Sequence, residues 1–170
     1  MTARAMTQID DPKLRIHRLN KAFGANHVLR DLSLEIASGE SLVVIGGSGT
    51  GKSVLIKCLV GLMEPDSGAI ELDGAPVTGL SRSARKAMMG RFGLLFQNGA
   101  LFDSLSVLDN IAFGLVSAQG RPTVEAKATA VEKLTQVGLD ESVGSMFPAE
   151  LSGGMRKRVA LARTIATEPD

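Results

Sequence analysis

A glycine-rich motif at residues 46–53 constrains this sequence more than any other feature. It fits the phosphate-binding pattern G-x-x-x-x-G-K-[ST] at every fixed position. Glycine carries no Cβ, so it lets a backbone adopt positive φ and approach phosphate oxygens closely. A helix that starts at Lys52 would direct further N–H groups at the same point. We therefore predict that Lys52 reaches the β- and γ-phosphates of a nucleotide and that the Ser53 hydroxyl binds Mg²⁺. The predicted phosphate-loop residues are Gly46, Gly47, Ser48, Gly49, Thr50, Gly51, Lys52 and Ser53.

The sequence on either side of this loop is typical of an α/β protein. Residues 42–45 form a continuous apolar run, as in a strand buried on both faces of a parallel sheet, and residues 93–96 predict a second short strand of this kind. Residues 52–62 are apolar nearly all round, which predicts a buried helix. Alternating or short apolar runs predict further strands at residues 32–36 and 69–72.

The pattern becomes helical after Gln97. Residues 106–109 have the S-x-x-D form of a helix start, and residues 123–137 carry a helical composition. Ser152 is placed to cap a last helix. We expect a largely helical segment over roughly 98–150, inserted in the α/β core. The predicted apolar faces consist of Val124, Ala128, Val131 and Leu134 in the helix over 123–137, and of Met155, Val159, Ala162 and Ala166 in the last helix.

Composition and charge narrow the possible function classes. The 170 residues, 44% hydrophobic, suit one globular domain. A net charge of +1 and the absence of Trp and Tyr argue against a nucleic-acid partner. Cys58 is the only cysteine, which excludes an intrachain disulfide and suits a reducing cytoplasm. The longest apolar stretch, residues 54–63, falls far short of the roughly 20 residues that span a bilayer, and residues 1–11 contain no apolar core of signal-peptide length. Any membrane role is therefore expected to be peripheral.

A second glycine motif lies about a hundred residues after the first and consists of Leu151, Ser152, Gly153, Gly154 and Met155. Taken alone, a Ser-Gly-Gly turn before a helix is most often a simple cap. It also presents N–H groups at the positive end of a helix dipole, which favours an anion. One chain needs only one phosphate loop, so a second anion site suggests a second nucleotide.

The two motifs together resemble the nucleotide-binding domain of an ATP-binding cassette (ABC) transporter, and the resemblance extends from Leu14 to the last residue. It implies a P-loop NTPase core, with a mostly parallel sheet and an N-terminal antiparallel β subdomain, plus an inserted helical subdomain. In this single but incomplete domain, residues 14–97 would be the core, 98–150 the helical subdomain and 151–170 the signature motif and helix. The resemblance also implies ATP and Mg²⁺, and a head-to-tail homodimer in which residues 151–155 close over the ATP of the partner.

Two further positions match this family. Phe23 stands where the family keeps an aromatic residue that stacks on adenine; the alternative is that Phe23 is only a core residue at the end of a strand. Gln97 matches the glutamine that senses Mg²⁺ and the attacking water. The resemblance thus assigns Lys52 and Gln97 to catalysis, and Ser53 and Gln97 to the metal.

A narrower resemblance lies in residues 95–107, together with Met155 in place of the usual Gln. These features resemble the ATPases of bacterial lipid-asymmetry transporters, the Mla and Mce-associated type. That similarity implies transport of phospholipid or a related lipid across the inner membrane, a membrane permease subunit and a lipid-binding periplasmic subunit. It places the chain peripherally on the cytoplasmic side. Gly114 departs from this pattern, because these ATPases often have Pro there.

The family pattern continues past the signature helix into a Walker B Asp, a catalytic Glu and a switch His, whereas this sequence ends at Asp170. We expect the sequence to be part of a longer protein. Asp140 and Glu141 precede the signature, and His17 and His27 precede the phosphate loop, so none of them is placed to substitute. We expect these 170 residues alone to be marginally stable and inactive in hydrolysis, with the runs at 42–45 and 93–96 partly uncovered.

Other functions stay open at this point. One alternative is a soluble ABC protein that acts on DNA or ribosomes; another is a P-loop kinase or GTPase, which would lack the signature and show a guanine-specificity motif or a lid. For these 170 residues alone, a third is an ATP-binding module without hydrolysis. The basic residues Arg82, Arg85, Lys86 and Arg91 are interpreted as a solvated face.

Overall fold

A computed structural model describes residues 11–97 and 99–170 of the chain. Residues 1–10, which carry most of the N-terminal interpretation, and Asn98, where the helical segment is predicted to begin, lie outside the described residues. The backbone divides into two compact units, the first ending at Met89 and the second beginning at Gly90. The first unit contains β1 (Leu14–Phe23), β2 (Asn26–Ile36), α1 (Lys52–Leu59), β3 (Ser67–Leu72), β4 (Ala75–Pro76) and α2 (Arg82–Met89). The second contains α3 (Val107–Ser117), α4 (Thr123–Gln136), short 3₁₀ turns at Glu141–Ser145 and Pro148–Glu150, and α5 (Gly153–Ala166).

The strands of the described residues form one antiparallel sheet in the order β2-β1-β3-β4. Leu14 and Ile16 of β1 are buried and pair with Ile36 of β2 and Ile70 of β3, respectively. A register shift between Ile16 and Leu19 moves the alternation by one residue, so Leu19 is buried as well. The strands predicted from residues 32–36 and 69–72 are confirmed as parts of β2 and β3.

The two strands predicted from continuous apolar runs are wrong in this structure. Neither residues 42–45 nor residues 93–96 are assigned to a strand, and neither run pairs with another strand among the described residues. A strand exists only where a neighbour completes its hydrogen bonds, which an apolar pattern cannot supply. The exposure expected for both runs is confirmed: Val43 and Ile45 are 78% and 83% exposed, and Leu95 and Phe96 are 55% and 54% exposed.

Helix α1 starts at Lys52, as predicted, but it ends at Leu59 and is buried on one side only. Leu55 and Cys58 are buried, whereas Ile56 is exposed. The prediction of a helix over 52–62 that is buried all round is therefore wrong. Gly61 has φ of +74°, a left-handed conformation that ends helices, and the chain turns away there.

The second unit has its own helical core. Side chains of α3, α4 and α5, among them Ile111, Leu134 and Val159, belong to one buried cluster. The predicted start of α3 is confirmed, because the Ser106 hydroxyl accepts a hydrogen bond from the Asp109 N–H at 3.2 Å. The apolar stripe of α5 is confirmed too: Val159, Ala162 and Ala166 are buried and Met155 packs against the cluster. The predicted division at 98–150 and 151–170 stays a prediction, and the structure places α5 in the same unit as α3 and α4.

The face of α4 that packs inward shares Leu134 with the predicted face and differs from it at the other positions. Ala126, Ala130 and Leu134, spaced four residues apart, are buried, whereas Val124 is 82% exposed. Each helical residue turns about 100°, so Val124 and Ala126 are about 200° apart on the helix. The prediction chose the stripe that contains Val124 because valine is strongly hydrophobic. The buried positions are mainly alanines, which let helices approach closely but give only a weak hydrophobic signal in a sequence.

Candidate nucleotide-binding site

The phosphate loop is held close to its neighbours at two glycines. Gly51 has φ of +93°, and a Cβ added there would lie 2.7 Å from Cγ1 of Val28 on β2. A Cβ added at Gly46 would lie 2.9 Å from the Thr50 hydroxyl oxygen. Side chains at these positions would force the loop open. The absence of Cβ atoms is therefore what lets residues 46–51 close over the start of α1.

The ammonium group of Lys52 lies among the backbone oxygens of the loop. Its Nζ donates hydrogen bonds to the carbonyl oxygens of Gly46 at 2.7 Å and Gly47 at 2.6 Å, and to the Thr50 hydroxyl at 3.4 Å. The Thr50 hydroxyl in turn donates to the Gly47 carbonyl at 3.0 Å. These bonds hold a positive charge beside the glycine loop, on an exposed surface. The arrangement fits an anionic ligand with several oxygens.

The N-terminus of α1 is suited to an anion. Among the described residues, no side chain caps Gly51 at the start of this helix, and its first turn contains no acidic residue. The first N–H groups of a helix have no partners inside it and carry a partial positive charge. Together with Lys52, they form a cradle that fits the phosphates of a nucleotide.

Ser53 and Gln97 are the residues that the sequence assigns to the metal. Ser53 lies in the exposed first turn of α1, where its hydroxyl could bind a cation held by the phosphates. Gln97 is exposed and belongs to the second unit. Within residues 11–97 and 99–170, no group of three His, Cys, Asp or Glu side chains is placed to hold a metal ion. The residues present fit Mg²⁺ bound mainly through a nucleotide, and the assignments of Ser53 and Gln97 stay predictions.

Phe23 is the last residue of β1 and is 48% exposed. Its exposure argues against the alternative that it is a core residue. The ring lies 5.7 Å from the Lys21 ammonium, measured to its centroid. β2 joins this strand end to the phosphate loop, because Asn26 pairs with Phe23 while Val28 contacts Gly51. β2 thus links Phe23, which the sequence assigns to the base, with the loop that it assigns to the phosphates.

The signature residues lie at the N-terminus of α5. Ser152 is the N-cap, and its hydroxyl accepts a hydrogen bond from the Met155 N–H at 3.2 Å. Gly153 and Gly154 are exposed, and a Cβ added at either position would point into open space. The Leu151 side chain is buried and that of Met155 is half-buried. Ser152, Gly153 and Gly154 are therefore the accessible part of the motif, and their role in binding stays a prediction.

Contacts made by two residues near the candidate site residues were not predicted from the sequence. Asp66 binds Lys21 and the backbone next to Phe23, yet it reads only as part of a turn. Arg163 of α5 donates to the carbonyl oxygens of Gly99 at 2.9 Å and Ala100 at 2.8 Å, shortly after Gln97. Burial lowers the pKa of the Arg163 guanidinium. An arginine on a helix that is otherwise apolar at this turn was the available signal.

Known proteins are similar to this chain in sequence and in fold. The family described as "ABC transporter" matches residues 29–170. The probable ribonucleotide transport ATP-binding protein mkl of Mycobacterium leprae is 42% identical over 92% of this chain and 45% of its own length. Protein TRIGALACTOSYLDIACYLGLYCEROL 3 of Arabidopsis thaliana, a chloroplastic protein, is 40% identical over 95% of this chain and 46% of its own length. The chain thus spans less than half of these two relatives.

A solved structure agrees with this match. It is a dimeric, post-hydrolysis state of the ATP-binding cassette MJ0796 with ADP and Pi bound. The two chains superpose with a TM-score of 0.81 and are 27% identical, and the match covers 92% of this chain and 70% of that chain. This likeness confirms the predicted P-loop NTPase fold class and the antiparallel β subdomain, whereas the predicted parallel strand pairs are not present among the described residues. In the part of the chain that the structure describes, no helix has the length and hydropathy needed to cross a bilayer.

Proposed function

The chain belongs to the ABC transporter family, and from that premise we propose that it is the ATP-binding part of a subunit that couples ATP binding and hydrolysis to transport across a membrane. The observation that carries the proposal is the Lys52 ammonium, held by the Gly46 and Gly47 carbonyls beside the uncapped start of α1. Residues 14–97 would form the nucleotide-binding core, 98–150 the helical subdomain and 151–170 the signature motif and helix.

In this proposal, the chain contributes mainly position and charge. Lys52 and the first N–H groups of α1 bind the β- and γ-phosphates of ATP, and the Phe23 ring stacks on the adenine. Ser53 holds Mg²⁺, which when bound offsets negative charge on the phosphate oxygens. Gln97 orients the attacking water. Phosphoryl transfer depends almost wholly on such positioning and electrostatic stabilisation, so small displacements of these groups reduce the rate strongly.

A second protomer would complete the site. Ser152, Gly153 and Gly154 expose backbone N–H groups at the start of α5, an arrangement that favours binding of an anion. They belong to the second unit, whereas the phosphate loop belongs to the first. A head-to-tail homodimer that forms with ATP would use both surfaces. The dimeric state of MJ0796 with ADP and Pi supports this assembly.

The transporter context supplies the partners and the location. We propose that the subunit binds an integral membrane permease from the cytoplasmic side of the inner membrane, and that the cargo is a phospholipid or a related lipid passed on by a lipid-binding periplasmic subunit. The similarity of residues 95–107 to lipid-transport ATPases supports a lipid, and so does the galactolipid in the name of the Arabidopsis relative. The name of the mycobacterial relative, which specifies ribonucleotide transport, supports a polar cargo instead.

Hydrolysis in the full-length protein tests the proposed activity. Mg²⁺-dependent phosphate release from ATP should be abolished by Lys52→Ala and kept by Lys57→Ala, a control that removes an exposed lysine of the same helix. Equal phosphate release by Lys52→Ala and the unmodified protein would contradict the proposal. The cargo is tested with the permease complex in vesicles. ATP-dependent transfer of labelled phospholipid supports the lipid, whereas uptake of ribonucleotides without lipid transfer contradicts it.

A further inference from the structure

Asp66 binds the end of β1 through both carboxylate oxygens. One oxygen accepts a hydrogen bond from the Lys21 ammonium at 2.6 Å, and the other accepts one from the Ala22 N–H, also at 2.6 Å. The Asp66 N–H donates to the Asn20 carbonyl at 2.9 Å. Three consecutive residues of β1 are therefore attached to this one aspartate. The Lys21 and Ala22 contacts also lower the pKa of the Asp66 carboxyl, so it is ionised at neutral pH.

These three residues directly precede Phe23. β1 is irregular here, with register shifts on both sides of Lys21 in its pairing with β2. A strand end with such shifts is not fixed by its ladder alone. The Asp66 carboxylate supplies an additional constraint on this strand end. It binds both the Lys21 side chain and the backbone N–H of Ala22.

The same contact controls what lies beside the aromatic ring. The Lys21 ammonium is 5.7 Å from the centre of the Phe23 ring. The Lys21 side chain is mostly buried, whereas about half of Phe23 is exposed. Asp66 thus fixes a cation beside the ring, and the exposed part of the ring stays accessible to a flat ligand. A cation at this distance is attracted by the quadrupole of the aromatic ring. This attraction limits the rotation of the Phe23 ring.

We propose that Asp66 is a positioning residue that orients Phe23 as the platform for the adenine base. This inference rests on the proposed function, because it assumes that the phosphate loop binds ATP. It assigns to the turn at residues 64–68 a role in base recognition. Loss of the Asp66 charge would leave the phosphate loop intact and loosen the platform, so it would weaken binding of the base and not of the phosphates.

The test compares two ligands that differ in the base: ATP and inorganic tripolyphosphate, measured by calorimetry on the full-length protein. Phe23→Ala should weaken ATP binding by about 5- to 100-fold, the usual range for loss of one stacked base, and leave tripolyphosphate unchanged. Asp66→Asn, which keeps the shape and removes the charge, should weaken ATP binding by about three- to tenfold, a part of that stacking contribution, again with tripolyphosphate unchanged.

Asp73→Asn is the matched control, because Asp73 forms an equivalent lysine pair at the other end of β1. Its carboxylate accepts from the Lys13 ammonium at 3.0 Å, and its N–H donates to the Lys13 carbonyl at 2.9 Å. This variant should bind both ligands normally. Lys21→Met, which keeps the Asp66 contact to Ala22, is a second variant and should lower ATP binding selectively as well. In a Phe23→Ala background, Asp66→Asn should have no further effect.

Several results would overturn the inference. Asp66→Asn with normal ATP binding, or with equal loss of both ligands and a lower melting temperature, would make Asp66 purely structural. If the losses of ATP affinity caused by Asp66→Asn and Phe23→Ala were additive, Asp66 would not act through Phe23. Normal ATP affinity of Phe23→Ala would exclude Phe23 as the platform for the base. Failure of the proposed function is seen separately: Lys52→Ala would then leave the binding of both ligands unchanged.

Discussion

The side chain of Asn110 on α3 forms a two-way hydrogen-bonded pair with the backbone of Phe102. Its Oδ1 accepts from the Phe102 N–H at 2.8 Å, and its Nδ2 donates to the Phe102 carbonyl at 3.0 Å. Nδ2 is also within hydrogen-bond distance of the carbonyl oxygens of Leu105 and Ser106. Asn110 is polar and is fully buried. It therefore holds residues 102–106 against the start of α3.

Replacement of Asn110 by alanine should destabilise the protein. The change leaves the N–H and carbonyl groups of Phe102 without their partner, and a buried unsatisfied group costs about 1–3 kcal/mol. We expect the free energy of unfolding, from urea titration, to fall by about 2–4 kcal/mol. Gln136→Ala, at the exposed end of α4, is the control and should change it by less than about 0.5 kcal/mol. A loss for Asn110→Ala as small as that of the control would contradict this role.

Asp109 links α3 to α4 and predicts a pH dependence. Hydrogen bonds from Lys127 and then Ser106 lower the pKa of the Asp109 carboxyl below its usual value of 3.8, and the Lys127 ammonium lies 2.8 Å away. In the unfolded chain this carboxyl binds its proton more readily than in the folded one, so its stabilising contribution is complete above the usual pKa and is lost as the pH falls below it.

The stability difference between the unmodified protein and Asp109→Asn should therefore be constant from pH 7 to about pH 5 and shrink as the pH falls below about 4. Urea unfolding at a series of pH values measures it. A difference for Asp109→Asn that stays constant down to pH 2 would exclude the ion pair as its source.

Local signals in the sequence predicted local structure well. Ser106 and Ser152 cap the helices that follow them, and Lys52 begins α1, because a cap or a glycine turn is decided by residues within a few positions. The runs at 42–45 and 93–96 failed as strands because a strand needs a distant partner.

The same reason explains what was missed at the candidate site. Asp66 acts on Lys21 and Ala22, which are 45 and 44 residues away in the chain. Nothing in the turn at residues 64–68 indicates which strand it will contact. The phosphate loop can be recognised as a candidate site because its pattern lies in eight consecutive residues, whereas the hydrogen bonds at the end of β1 come from a distant turn.

Ser152 offers a test of the proposed dimer. Ser152→Arg should leave ATP binding by the monomer near normal and prevent ATP-dependent dimers, since it adds bulk and charge at the exposed start of α5. Ser152→Asp keeps a good N-cap and should also prevent dimers, because its carboxylate would repel the γ-phosphate. Light scattering with ATP and Mg²⁺ under a hydrolysis block measures the dimer, with Ser145→Arg, another exposed serine, as the control. Dimers formed by both Ser152 variants would remove the signature from the interface.

The most direct measurement of the central claim is calorimetric ATP binding by the full-length protein and its Lys52→Ala variant. A hydrogen bond to a charged group contributes about 1.5–3 kcal/mol, so Lys52→Ala should weaken ATP binding by at least about tenfold. Lys57→Ala, on the same helix, should bind ATP as the unmodified protein does. Equal affinity of Lys52→Ala and Lys57→Ala for ATP would contradict the assignment of residues 46–53 as the phosphate site.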